Sequence, residues 1–174
     1  LIFARASVAD ARAKLVVLCR TLPQAHAALD AGADGVWLDF LALTGTGNAV
    51  RSLVDKRARD FSIGVAPPRI RKPGEEKIDR FLLDLPIDAF LVRSLGSLED
   101  VRTWKRAASS QNGARPTPKL VGDFSLNVAN RLSANTVLAC GLHAFTPSYD
   151  LDAAQLGALL STSIGRRAEL VVHH

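Results

Sequence analysis

Short apolar runs alternate with amphipathic stretches along this chain. The runs lie at 15–19 (LVVLC), 35–40 (GVWLDF), 61–65 (FSIGV), 89–92 (AFLV), 120–124 (LVGDF), 144–147 (AFTP) and 170–173 (LVVH). Between them, 22–31, 49–59, 75–83, 98–108, 128–139 and 153–164 carry apolar residues at helical spacing. The pattern predicts about seven strands and six helices in strict alternation. Strands that read as continuous apolar runs are buried on both faces, pair in parallel and need helical crossovers, so the fold class is α/β.

A (β/α) barrel and an open doubly wound sheet both satisfy that alternation. Two features favour a TIM-type barrel. Three junctions read alike, each a turn feeding a strand: AGAD before Gly35, LPID before Ala89 and CGLH before Ala144. After the first strand, Cys19-Arg20-Thr21-Leu22-Pro23 stands where a dinucleotide fold carries its Gly-rich fingerprint. The barrel is then incomplete by about one strand and one helix relative to the usual eight units.

At 174 residues the chain reads as one barrel-like domain over 15–174, preceded by a linker or N-terminal helix over 1–14. It starts at Leu1, contains no Met, and stops just after an apolar run and two histidines. These features suggest a segment of a longer protein, whose missing C-terminal part holds some of the site. No apolar run has the length of a membrane span, and no signal-peptide pattern is present. Cys19 and Cys140 fall in different elements and read as small buried hydrophobes; two thiols without a disulfide framework point to the cytoplasm.

Chemistry is expected where strands end, because ligands of parallel α/β folds bind at the carboxyl ends. The densest stretch is KLVGDFSLNVAN, in which an apolar run stops at Asp123, Ser125, Asn127 and Asn130. Asp39 closes the second strand, and Arg93 with Ser94 closes the fourth; Asp39 and Arg93 either face a ligand or pair as a structural ion pair. A formal charge of +5 suggests anionic partners, with Arg69, Arg71 and Lys72 as the tightest basic cluster. Pro67 and Pro68 stiffen the loop that carries Arg69 and Arg71 over the ligand face. Gly45-Thr46-Gly47-Asn48 lacks the Gly-Lys-Ser/Thr of a phosphate loop and reads as a helix start. His26 and His143 read as structural. One of His173 and His174 is able to face the barrel, which makes His173 a metal-ligand candidate.

The ordered strings LVVLCRT, GVWLDF, APPRIRKPGEE, AFLVRSLG, VGDFSLNVAN, TPSYDLDAAQL and AELVVHH resemble the latter half of the collagenase-like peptidases, peptidase family U-thirty-two. The resemblance covers 15–174 and is most specific in PRIRKPGE and GDFSLNVAN. It implies a barrel-like catalytic domain and a peptidase of undefined catalytic type acting on peptides. Other members of the family are oxygen-independent hydroxylases or RNA-modification proteins carrying a four-iron, four-sulfur cluster. That alternative implies an RNA substrate and a cluster whose ligands lie outside this segment. A third reading is a non-catalytic barrel module that binds a partner or completes a larger fold.

Overall fold

A computed structural model describes residues 13–58, 60–109 and 117–172; the side chains of 107–109 are not described. Six strands and six helices alternate: β1 (Val16–Cys19), α1 (Leu22–Asp30), β2 (Gly35–Leu38), α2 (Thr46–Lys56), β3 (Ser62–Val65), α3 (Glu76–Leu83), β4 (Ala89–Val92), α4 (Leu95–Ser109), β5 (Lys119–Gly122), α5 (Arg131–Ala139), β6 (Ala144–Phe145) and α6 (Ala153–Leu160). Every strand pairs in parallel with its sequence neighbour, in the order β1 to β6. A doubly wound sheet would reverse its strand order at a switch point. The unbroken order instead makes this a partial TIM-type barrel.

Period-two alternation divides the core between the two faces of this sheet. Val36, Leu38, Ile63, Val65, Phe90, Val92, Leu120 and Phe145 join residues of the helices in one large cluster. The alternate positions Trp37, Ala66, Ala89, Leu91, Val121 and Ala144 form a second cluster inside the curve. Three of these six are alanines, and Trp37 is the largest member. A Cβ at Gly64 would lie 2.3 Å from the Trp37 ring, so only glycine fits beneath the indole. The Trp37 indole also hydrogen-bonds Glu169, which follows β6, so β2 and the far edge of the sheet meet across the interior.

The seventh run forms less than its sequence suggests. Ala168 makes one parallel bridge to Phe145, and the Glu169 N–H donates to the Phe145 carbonyl at 2.9 Å. Beyond that point Leu170, Val171 and Val172 are exposed and outside any strand. An apolar run becomes a buried strand only when neighbours cover it, and here it has one short neighbour on one side.

Local signals explain the boundaries. Thr21, Asn130 and Asp152 cap α1, α5 and α6 in reciprocal capping boxes with Gln24, Ser133 and Gln155. Gly32 and Gly141 take positive φ just after α1 and α5, as glycines that stop helices do. Gly45, with φ 102°, starts α2, in agreement with a helix-start reading of that stretch. Residues 1–12, including most of the expected linker or helix, lie outside the described residues. Among the described residues no helix is long and apolar enough to cross a membrane.

Candidate functional site at the carboxyl ends of the strands

The ladder does not stop where the strands are conventionally ended. The N–H groups of Asp39, Ala66, Asp123 and Thr146 donate to the Cys19, Leu38, Val92 and Gly122 carbonyls, so each residue keeps its strand's alternation. That parity turns Asp39, Arg93 and Asp123 to the same side as Trp37, Leu91 and Val121, toward the interior. All three are buried.

They form one network. The Arg93 guanidinium donates to both carboxylate oxygens of Asp39, at 3.0 and 2.7 Å, and to the Pro67 carbonyl at 2.6 Å. Its Nε lies 3.4 Å from Asp123 Oδ2 and is buried without a hydrogen-bond partner. Ser125 donates its hydroxyl to the Arg93 carbonyl at 2.8 Å and to Asp123 at 3.0 Å. Arg20, directly after β1, meets Asp39 Oδ2 at 2.8 Å from a half-exposed position. Two arginines thus balance two aspartates across the ends of β1, β2, β4 and β5. Such compensation allows charges to be buried, since an isolated buried charge is very costly.

An aromatic wall stands beside this floor. Phe124 follows Asp123 and stacks on Tyr149 with ring centroids 4.1 Å apart, and the Arg69 guanidinium lies 4.4 Å above the Phe124 ring. Burial, followed by the nearby Asp123 carboxylate, pushes the Tyr149 phenol above its ordinary range, against the opposing influence of Arg69 and Arg93.

The remaining expected residues divide by role. Arg71 turns away toward the helices, contacting Asp79 at 3.0 Å and Asp100 at 2.6 Å; Ser97 donates to the same Asp79 oxygen at 2.7 Å. Arg71 therefore ties the loop after β3 to α3 and α4, and Arg69 alone of the pair stays at the mouth. The Ser94 hydroxyl accepts from the Ser97 N–H at 3.1 Å and helps to start α4. Asn127 is exposed in the left-handed region, with φ 52°, and turns the chain after the short 3₁₀ turn Phe124–Leu126. Asn130 uses its side chain to cap α5. His173 lies outside the described residues. Arg20 and Tyr149 are the residues that sequence reasoning passed over. Arg20 had the same signal as Arg93, a charge immediately after an apolar run, while Tyr149 is the chain's single tyrosine, in the loop after β6.

Thiol chemistry is not supported at this site. Burial raises the Cys19 thiol to about 11, which keeps it protonated, and its side chain belongs to the core on the helix side. Among the described residues no group of three or more His, Cys, Asp or Glu side chains is placed to hold a metal ion.

No protein-family model and no curated protein sequence matches the chain. Solved structures do. The U32 peptidase Mk0906 superposes with a TM-score of 0.59 over 93% of this chain and 68% of its own length, at 15% identity. A mandelate racemase/muconate lactonizing enzyme from a marine actinobacterium gives 0.58 over 92% of this chain and 48% of its own, at 13% identity. The muconate lactonizing enzyme from Klebsiella pneumoniae gives 0.51 over 90% and 44%, at 16% identity. The chain spans about half the length of these lactonizing enzymes. Likenesses at such low identity show the fold, a partial TIM-type barrel.

Proposed function

We propose that this chain is the barrel portion of a U32-type peptidase and that its mouth is the floor on which a polypeptide lies. One observation carries the reading. The segments following β2, β3, β4, β5 and β6, which leave the sheet at the end where Asp39, Arg93 and Asp123 lie, each carry an exposed large side chain, Leu41, Ile70, Leu95, Leu132 and Tyr149. On this reading they adjoin as a rim, and contiguous exposed apolar side chains mark interaction sites. An apolar rim suits the side chains of a peptide, and the half-exposed Arg20 suits a carbonyl or carboxylate. In this reading the segment positions substrate, and the hydrolytic groups come from outside the described residues.

The RNA-modification alternative has less support. Arg71 is held by two carboxylates, which leaves Arg69 and Lys72 as the loop's cations for a phosphate backbone. A cluster in that alternative would have to take its ligands from beyond the described residues.

The test is an NMR titration of the chain with gelatin-derived peptides, alongside a single-stranded RNA of similar length. The expected result is saturable shifts around Leu41, Ile70 and Tyr149 with peptide, weakened by Tyr149→Ala without loss of fold. Shifts that arise with RNA but not with peptide would reverse the order of the two readings.

A further inference from the structure

The opposite end of the barrel has a different character. A cleft of about 420 Å³ opens there between α4, α5, the start of β5 and the turn into β6. Lys105, Lys119, His143 and Arg167 line it, and no acidic side chain among the described residues does.

Elsewhere this end is built on acids. Asp34 precedes β2 and Asp88 precedes β4, and their carboxylates accept from the backbone N–H groups of Leu15 at 2.7 Å and Ile63 at 2.8 Å. Arg57 pairs with Asp88. His143 holds the same position before β6, with the same backbone bond, its N–H donating to the Leu120 carbonyl at 2.7 Å. An imidazole thus stands where those two units have a carboxylate. Arg167 donates to the carbonyl oxygens of Leu142 and His143, at 2.6 Å each, and these neutral partners leave its charge uncompensated. The cleft is therefore a concave concentration of positive charge.

We propose that this cleft binds a small phosphate-bearing ligand, a phosphomonoester whose dianion lies between Lys119, His143 and Arg167. The cleft is open to solvent rather than enclosing, which suits a small ligand held mainly by its charge. A phosphomonoester carries close to two negative charges near neutral pH and three acceptor oxygens, which matches several converging donors. Nucleic acid is a poorer fit, because its backbone needs a basic stripe and this charge is gathered in one hollow. The electrostatics agree with the geometry: burial first, then Lys119 and Arg167, hold the His143 imidazole below its ordinary range. A bound dianion would offset those two cations.

The experiment titrates the chain with inorganic phosphate and with glycerol phosphate at fixed ionic strength, chloride serving as the reference, and follows the His143 ring and the Gly141 amide by NMR. The expected result is saturable shifts, an upward move of the His143 pKa in the bound form, and affinity about tenfold weaker in Lys119→Gln, the loss expected for one charge-assisted hydrogen bond. Lys119 is exposed at the start of its strand, so the substitution spares the fold. His143→Gln is the second variant and should weaken binding as well. Shifts no larger than those in chloride, or an affinity that neither substitution changes, would overturn the proposal.

Discussion

Arg93 reaches across the end of β3 to grip Asp39 through two parallel hydrogen bonds of 3.0 and 2.7 Å. The two residues end strands that are not adjacent, β2 and β4, and the guanidinium also takes the Pro67 carbonyl beyond β3 between them. The pair therefore fixes the spacing of three successive strands at the mouth. Fixing comes with a cost elsewhere: an arginine so engaged has little left for a substrate, which makes it a positioning residue for Asp39 and for the loop at Pro67.

This arrangement predicts unequal effects for two arginines that touch the same aspartate. Arg93→Met leaves buried Asp123 without a cation and buried Asp39 with only the half-exposed Arg20, and should destabilise by about 3–5 kcal/mol, the usual result of breaking a buried ion pair. Arg20→Met should cost no more than about 1 kcal/mol, because a half-exposed charge is screened by solvent. Urea unfolding of both variants checks this, and equal losses would mean that the network is not organised around Arg93.

The basic loop divides in the same way. Arg71→Ala leaves Asp79 buried with Ser97 as its remaining hydrogen-bond donor, and should cost about 1–3 kcal/mol. Arg69→Ala removes a cation–π contact at an exposed site and should cost about 0.5–1 kcal/mol. Thermal or urea unfolding would show the difference. A loop in which both replacements were neutral would contradict the tie between Arg71 and the α3–α4 pair.

Most of the sheet was legible in the sequence, since β1, β2, β3, β4 and β6 lie within the apolar runs and β5 starts one residue before its run, although β1 leaves Val16 and Leu18 exposed. The seventh run has the same composition and fails, because burial depends on a neighbouring strand that composition does not record. At the mouth, the position of Asp39, Arg93 and Asp123 could be read from the first polar residue after each run. What they do there could not: the choice between a ligand site and an ion pair turned on the distance across β3. The division between Arg69 and Arg71 was likewise hidden, since it depends on Asp79 and Asp100 arriving from two helices. Asn130 was read with the ligand-face residues, whereas its spacing to Ser133 at the start of a helical pattern is that of the cap it forms.

Glu169 makes the stability of the barrel depend on pH. Burial raises its carboxyl above the ordinary 4.5, partly opposed by the hydrogen bond from Trp37. Below about 4.5 the folded and unfolded chains both hold the proton and the stability is at its full value. As pH rises from there, the unfolded chain ionises first and is favoured, so stability falls until pH passes the folded value. Asp79, raised above 3.8 chiefly by burial, acts in the same direction. Urea midpoints should therefore decline from pH 4.5 toward neutrality less steeply in Glu169→Gln than in the parent. Parallel declines would show that Glu169 ionises as freely folded as unfolded.

The last prediction is that the chain by itself does not hydrolyse peptides. Acyl transfer needs a nucleophile with a positioned base and donors aimed at the developing oxyanion. Ser125 is the one hydroxyl built into the buried network, yet its proton is directed to the Arg93 carbonyl and to Asp123, the latter already beside the Arg93 guanidinium. A carboxylate is by its ordinary chemistry a weak base for a serine proton at neutral pH, and among the described residues no histidine joins this network. Ser125→Ala should therefore behave as a structural change, removing a hydrogen bond worth about 1 kcal/mol while leaving peptide affinity in place. Incubation with gelatin peptides, followed by mass spectrometry, should show intact substrate for parent and variant alike. Cleavage by the parent that disappears in a folded Ser125→Ala protein would make Ser125 a nucleophile and Asp123 its base.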